Sequence, residues 1–179
     1  MAGDRVEIVD YDPTWPAMFS AEAERLRTVL AGEDIDAIEH FGSTAVPGLA
    51  AKPVIDILVA VPALEEARGA FPARLVNLDY VFWREDPRPG RLYFVKGMPP
   101  FGEKRTHHLH ICERPGKLWS QLGFRDHLRA HPEDAERYAA LKRDLAARYA
   151  DDREAYTEAK GDFIGAIMAR IGARRDADS

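Results

Sequence analysis

Hydrophobic and polar positions follow two rhythms along this chain, and the change from one to the other divides it. The run VEIV at residues 6–9 is short and β-prone and predicts an edge strand. Asp12-Pro13 marks a turn, Thr14 follows as an N-cap, and Pro16 falls in the first helical turn. Met18, Phe19, Ala23, Leu26, Val29 and Leu30 then recur at helical spacing, and Gly32 closes the helix. Residues 35–41 and, more strongly, 54–61 read as strands. The connection over 42–53 is too rich in Gly and Pro for more than a short helical turn. A helix starts at about Leu64. Residues 80–85 and 91–96 read as strands joined by the turn DPRPG, and 106–113 as one more strand.

After that strand the period is helical. One helix is expected over 118–130 and a second from Pro132. A third opens at a capping box of Asp151 and Glu154 and runs through Ile171. Strand, helix, several strands, then helices is the order of an α+β fold. The expected sheet is mixed or antiparallel and covered by helices on one face, with a helical C-terminal third. Without a repeat or linker, 1–179 reads as a single domain, with a polar tail at about 172–179.

Composition narrows the class. A net charge of −5 argues against a large nucleic-acid footprint, although it leaves room for a local basic cleft. The single cysteine, Cys112, cannot form an internal disulfide, which suits a reducing compartment. No apolar run matches a signal peptide or the ~20 residues of a membrane span. A cytoplasmic protein with no membrane partner is the expectation.

Candidate chemistry concentrates around FGSTAVPG and VIDILVAV. Phosphate binding needs backbone N–H groups that approach closely, which glycine permits, and is helped by hydroxyl donors. Gly42, Ser43 and Thr44 supply both at the end of a strand. Asp56, fixed on the next strand, is placed to hold Mg²⁺ against a nucleoside triphosphate. The plainer readings are a simple turn and a hydrogen-bonded structural aspartate. In THHLHICE, alternation puts His108 and His110 on one face, where they could neutralise phosphate, move a proton or bind a metal. The competing reading is a solvated face without a partner. Cys112 shares that face and reads as a small core residue.

Cations come next. Lys52 precedes the Asp56 strand, and Arg125 reads either as a phosphate ligand or as half of a structural ion pair. Arg91 and Lys96 are candidates to line the sheet. Tyr138-x-x-x-Lys142 and Tyr156-x-x-x-Lys160 echo each other, but helical lysines are expected on solvated faces. Trp15, Trp83 and Trp119 are expected in core packing before base stacking.

The segment HFGSTAVPGLAAKPVIDILV resembles the signature of the GrpB family. So do VEIVDYDPTWPAMFSAEAERL, THHLHIC, LWSQLGFRDHLRAHPEDAERYAALK and YTEAKGDFI, and together they span nearly the whole chain. The resemblance implies a nucleotidyltransferase fold, in which a Gly-Ser is followed by an Asp-x-Asp/Glu pair. A related domain is fused to a dephospho-CoA kinase in some bacteria. The implied activity is nucleotide binding with metal-assisted nucleotidyl or phosphoryl transfer to a small-molecule acceptor. Asp56, His108 and His110 are then the catalytic candidates, with Mg²⁺ on Asp56. Gly42, Ser43, Thr44, Lys52 and Arg125 are the candidates for nucleotide or phosphate binding. The chain departs from the superfamily at Leu58, where the second carboxylate would stand. The alternative is therefore a non-catalytic nucleotide- or metabolite-binding module.

Overall fold

The most apolar run of the chain lies beside the middle strand of a five-stranded sheet, where both of its faces are covered. The computed structural model describes the backbone of residues 5–177 and the side chains through residue 173. The strands are β1 (Ala37–Phe41), β2 (Ile55–Val61), β3 (Tyr80–Phe82), β4 (Leu92–Lys96) and β5 (His107–Glu113). They are ordered β1-β2-β5-β4-β3, with β2 and β5 parallel and every other neighbouring pair antiparallel. The fold is α+β with a mixed sheet.

Alternation sends Ile55, Ile57, Val59, Val61, Leu109 and Ile111 to one face. There they pack under α1 (Trp15–Val29) and α2 (Leu64–Leu75), which contribute Trp15, Leu26, Phe71 and Leu75. Each fully buried side chain of this size contributes about 1.5–3 kcal/mol. A buried ion pair also ties α1 to the sheet: Lys96 Nζ donates to Glu22 Oε1 at 2.8 Å. Lys96 thus serves helix packing and not a site.

The other face carries Asp56, Leu58, His108, His110 and Cys112. It is not left bare, as helices on one face alone would leave it. The C-terminal helices fold back over it, and Leu118, Trp119 and Leu122 pack on Leu58 and Cys112. The helix expected over 118–130 breaks at Gln121 into α3 (Lys117–Ser120) and α4 (Leu122–Ala130). Next come α5 (Pro132–Arg148), α6 (Arg153–Ala159) and α7 (Gly161–Ala177), so the last expected helix is two helices parted at Lys160. Asp152, not Asp151, caps α6, accepting from the Ala155 N–H at 3.0 Å. Helix α7 also continues through the first part of the expected tail, and residues 178–179 lie outside the described residues.

Two strand expectations change. Residues 6–9 do not join the sheet. The Val6 N–H donates to the Ala150 carbonyl, and Val9 forms an isolated bridge with Ala51. Val6 is drawn instead into a cluster with Leu145 and Tyr156. Strand β3 stops at Phe82, because the turn chemistry of Asp86-Pro87 and Pro89-Gly90 begins sooner than the alternation suggests. No described helix is long and apolar enough to cross a membrane.

Candidate functional site

The parallel register of β2 and β5 sets Asp56 opposite His108 and Leu58 opposite His110. This places one carboxylate between two imidazoles on the same face. His108 Nδ1 lies 3.0 Å from Asp56 Oδ1, and His110 Nε2 approaches the same oxygen at 3.6 Å. The outer ring nitrogens meet guanidinium groups. Arg91 Nη1 is 2.8 Å from His110 Nδ1, and Arg153 Nη2 is 3.4 Å from His108 Nε2.

These contacts set the tautomers. A guanidinium only donates, so His110 Nδ1 accepts and its proton sits on Nε2, toward Asp56. His108 matches this with its proton on Nδ1, donated to the carboxylate. Burial pushes the His108 pKa down to about 4, against the pull of Asp56, and His110 is lowered for the same first reason. Both rings are therefore neutral near pH 7. Burial acts to raise the Asp56 pKa, but hydrogen bonds from the two histidines outweigh it and hold the group ionised, well below the usual carboxylate range. Its side chain remains 27 % exposed, so it can be reached from solvent.

The ligand atoms of Asp56, His108 and His110 lie within 4.8 Å of one another, close enough for a metal ion. The donors do not fit Mg²⁺, which takes oxygen ligands, and Asp56 supplies the only carboxylate of this set. Leu58, on the strand position that a second acid would occupy, is fully buried against Cys112 and Leu122. The surrounding groups have the wrong polarity as well. A metal-bound imidazole ordinarily donates its outer N–H to an acceptor, whereas both rings here face donors on that side.

The FGSTAVPG loop packs directly on this hub. Gly42 has φ 69°, and Ser43–Ala45 forms one 3₁₀ turn. Ser43 lies beside the phenol of Tyr138 and acts to lower its pKa, against the larger effect of burial. Thr44 is placed differently from its expected phosphate role. It is buried, and its Oγ1 lies 3.0 Å from Nε2 of His40, whose ring stacks on Phe19 of α1.

The cations around Asp56 come from segments far apart in the chain. Lys52 faces Arg153, Lys160, Arg105 and Asp56, and burial with this crowding lowers its pKa to about 7. Lys160 is lowered to about 8 by burial, with Arg88 and Arg153 adding to the effect and Asp56 opposing it. Both ammonium groups approach the ring of Tyr156, at 5.3 and 4.4 Å from its centroid. Lys142 is buried, donates to the Ala50 carbonyl and lies 4.7 Å over the Tyr138 ring. The Tyr-x-x-x-Lys echo thus marks two residues pairs of the site wall, not solvated faces.

Arg125 is placed away from this cluster. It pairs with Glu39 and Asp126, each at 2.8 Å, and donates to the His40 carbonyl, which makes it the structural ion pair of the two readings. Cys112 is buried, and burial raises its thiol to about 11, so it is a core group. Trp15 lies in the main core and Trp119 over Cys112, while Trp83 is 37 % exposed. Sequence reading missed Arg153, Arg105, Arg88 and Tyr93. Tyr93 follows from strand alternation, since it pairs with His110 in register. The arginines lie in loops and at a helix start, where no periodicity fixes a direction.

Comparison with known proteins matches the GrpB protein family model over residues 5–170. The chain belongs to the GrpB family. It is 52 % identical over 171 residues to UPF0157 protein PA4798 of Pseudomonas aeruginosa, covering 93 % of this chain and 68 % of that protein. A crystal structure of GrpB from Enterococcus faecalis superimposes with TM-score 0.80 at 35 % identity, covering 92 % of this chain and 96 % of that one. A dephospho-CoA kinase of Mycolicibacterium paratuberculosis is 32 % identical over 178 residues. That match spans 87 % of this chain but only 43 % of the kinase.

Proposed function

We propose that this GrpB protein binds a nucleotide or a related phosphorylated small molecule in the cleft over Asp56, as a binding module and not a two-metal transferase. The carrying observation is the convergence of Lys52 and Lys160 on the ring of Tyr156, 5.3 and 4.4 Å from its centroid, with Asp56 as the carboxylate that offsets them. Partly buried cations held together in this way repel one another, and a bound polyanion relieves the repulsion. Partly exposed Asp56 adds an acceptor suited to a ligand hydroxyl. One relative is named for acting on dephospho-CoA, a nucleotide-containing molecule, which supports a ligand of that class. Burial of Leu58 against Cys112 and Leu122 supports the binding reading over metal-assisted transfer, because the second acidic position is taken into a core.

Titration calorimetry with ATP, ADP, AMP and coenzyme A tests this. The expected result is saturable one-to-one binding that is weakened at least about tenfold in Lys160→Gln, the loss of one charge-assisted contact. Absence of binding across the panel would reject the reading.

A further inference from the structure

We propose that the cleft takes its ligand as a metal-free polyanion of at least three negative charges, with lysine and arginine side chains standing where a nucleotide's divalent ion would. This rests on the binding function proposed above and names the ionic form it acts on.

Three observations carry the inference. First, the only described cluster with metal-ligand spacing is Asp56, His108 and His110, and its ring nitrogens are already committed. His108 and His110 turn N–H groups toward Asp56 and accept from Arg153 and Arg91 on their outer sides. A metal at the centre would have to displace those protons to nitrogens that face donors. Second, Leu58 removes the carboxylate partner with which Asp56 would share a metal. Third, positive charge is delivered from five directions. Lys52 comes from the loop before β2, Arg88 from the β3–β4 turn and Arg91 from the edge of β4. Arg105 comes from the loop before β5, and Arg153 with Lys160 from the two ends of α6. Arg91 also holds Asp86 at 2.6 Å, which fixes its guanidinium beside His110.

A triphosphate carries its own divalent ion into most sites, and that ion cancels two of its charges. In this cleft the ion would meet the field of Lys52, Lys160 and the arginines. The uncomplexed triphosphate matches that field; its magnesium complex matches it less well. The aromatic rings of Tyr93 and Tyr156 lie under Arg91 and Lys160, 4.6 and 4.4 Å from the cations, and their faces offer a phosphate no donors.

The test is calorimetric, on the full chain, with ATP and inorganic tripolyphosphate, each in EDTA and in excess Mg²⁺. Both probes are expected to bind in EDTA, and ATP to bind more tightly than ADP, and ADP than AMP, measured alongside under the same conditions. ATP affinity should fall about tenfold or more when Mg²⁺ is in excess. Lys52→Ala combined with Lys160→Ala should abolish binding with no fall in melting temperature, because crowded cations are removed. Lys104→Ala, at an exposed lysine outside the cleft, should leave binding unchanged. Binding that requires Mg²⁺, or stoichiometric uptake of Mg²⁺, Mn²⁺ or Zn²⁺ by the ligand-free protein, would overturn the inference and leave nucleotide binding standing. Failure of both probes in both conditions would overturn the inference, and the binding function falls with it only when ADP, AMP and coenzyme A fail to bind as well.

Discussion

A Cβ atom placed on Gly42 would lie 2.5 Å from Oδ2 of Asp56. The loop backbone and the carboxylate are therefore in direct contact, and only a residue without a side chain permits it. Gly42→Ala must move Asp56 or the loop, and it also places alanine at φ 69°. With ψ at −167°, a region open essentially to glycine alone, the backbone conformation by itself costs about 1–3 kcal/mol. The expected outcome is a lower melting temperature together with loss of nucleotide binding, read by thermal denaturation and calorimetry on one sample. Normal affinity in the variant would show that the loop and Asp56 act separately.

Leu58→Asp writes the missing second acid into the chain. Leu58 is fully buried among Cys112, Leu122 and Phe41, so an ionised carboxylate there has no partner. The substitution is expected to destabilise by about 3 kcal/mol or more and to confer no Mg²⁺ dependence. Urea denaturation with and without Mg²⁺ checks both halves; a metal-induced rescue would show that the position still reads as a metal ligand.

Ser43 and Thr44 should part company. Ser43→Ala removes a hydroxyl that faces Tyr138 beside the cleft and should weaken nucleotide binding by about 0.5–1.5 kcal/mol. Thr44→Val removes a buried partner of His40 and should lower stability by about 1–3 kcal/mol with affinity intact. Equal effects of the two on affinity would count against this division of labour.

Lys52 and Lys160 bind protons less readily in the folded chain than when unfolded, since their folded values of about 7 and 8 lie below the ordinary 10.5. The unfolded state thus holds more protons between those limits, and stability rises with pH across that window. The penalty is fully present below pH 7 and gone above pH 10.5. A bound polyanion pulls the same protons back. The facing groups are Arg105, Arg153, Arg88, Lys142 and Asp56; Asp56 is already ionised, and Lys142, lowered by burial to about 7, titrates in the same window and in the same direction. Binding at pH 8 should take up protons, seen as a binding enthalpy that changes with the ionisation enthalpy of the buffer, and affinity should fall between pH 7 and 9. Proton release would contradict the assignment.

The helical third has its own pin. Asp134 on α5 accepts from His127 of α4 and from Arg170 of α7, each at 2.8 Å. Asp134→Ala leaves both donors without their acceptor and should cost about 1–3 kcal/mol. Because this cluster is apart from the cleft, nucleotide affinity of the folded variant should be unchanged; a parallel loss of affinity would join the two regions.

Much of the fold was legible because periodicity is a local property. The strands at 54–61 and 106–113 and the helix at Trp15–Val29 follow from apolar spacing, and with them the common face of Asp56, His108 and His110. The failures are non-local. Val6 has strand composition, but its N–H is claimed by Ala150 from the far end of the chain. Arg125 looks the same in sequence whether it meets a phosphate or Glu39, and only β1 decides. Lys142 and Lys160 read as solvated because nothing in their local sequence shows that the segment before β2 meets them, bringing the Ala50 carbonyl to Lys142 and Lys52 toward Lys160.

The parallel pairing of β2 with β5 has a consequence for folding. Asp56 and His108 are neighbours across a strand boundary yet stand 52 positions apart along the chain, and Arg153 arrives a further 45 positions later. No fragment that folds early can contain the whole cleft, so the site comes into being only when α6 docks. Ligand binding then draws on the cooperativity of the entire domain. A bound polyanion should slow hydrogen exchange of amides in the sheet interior and not merely of the loops it touches, which makes occupancy of the cleft a report on global integrity.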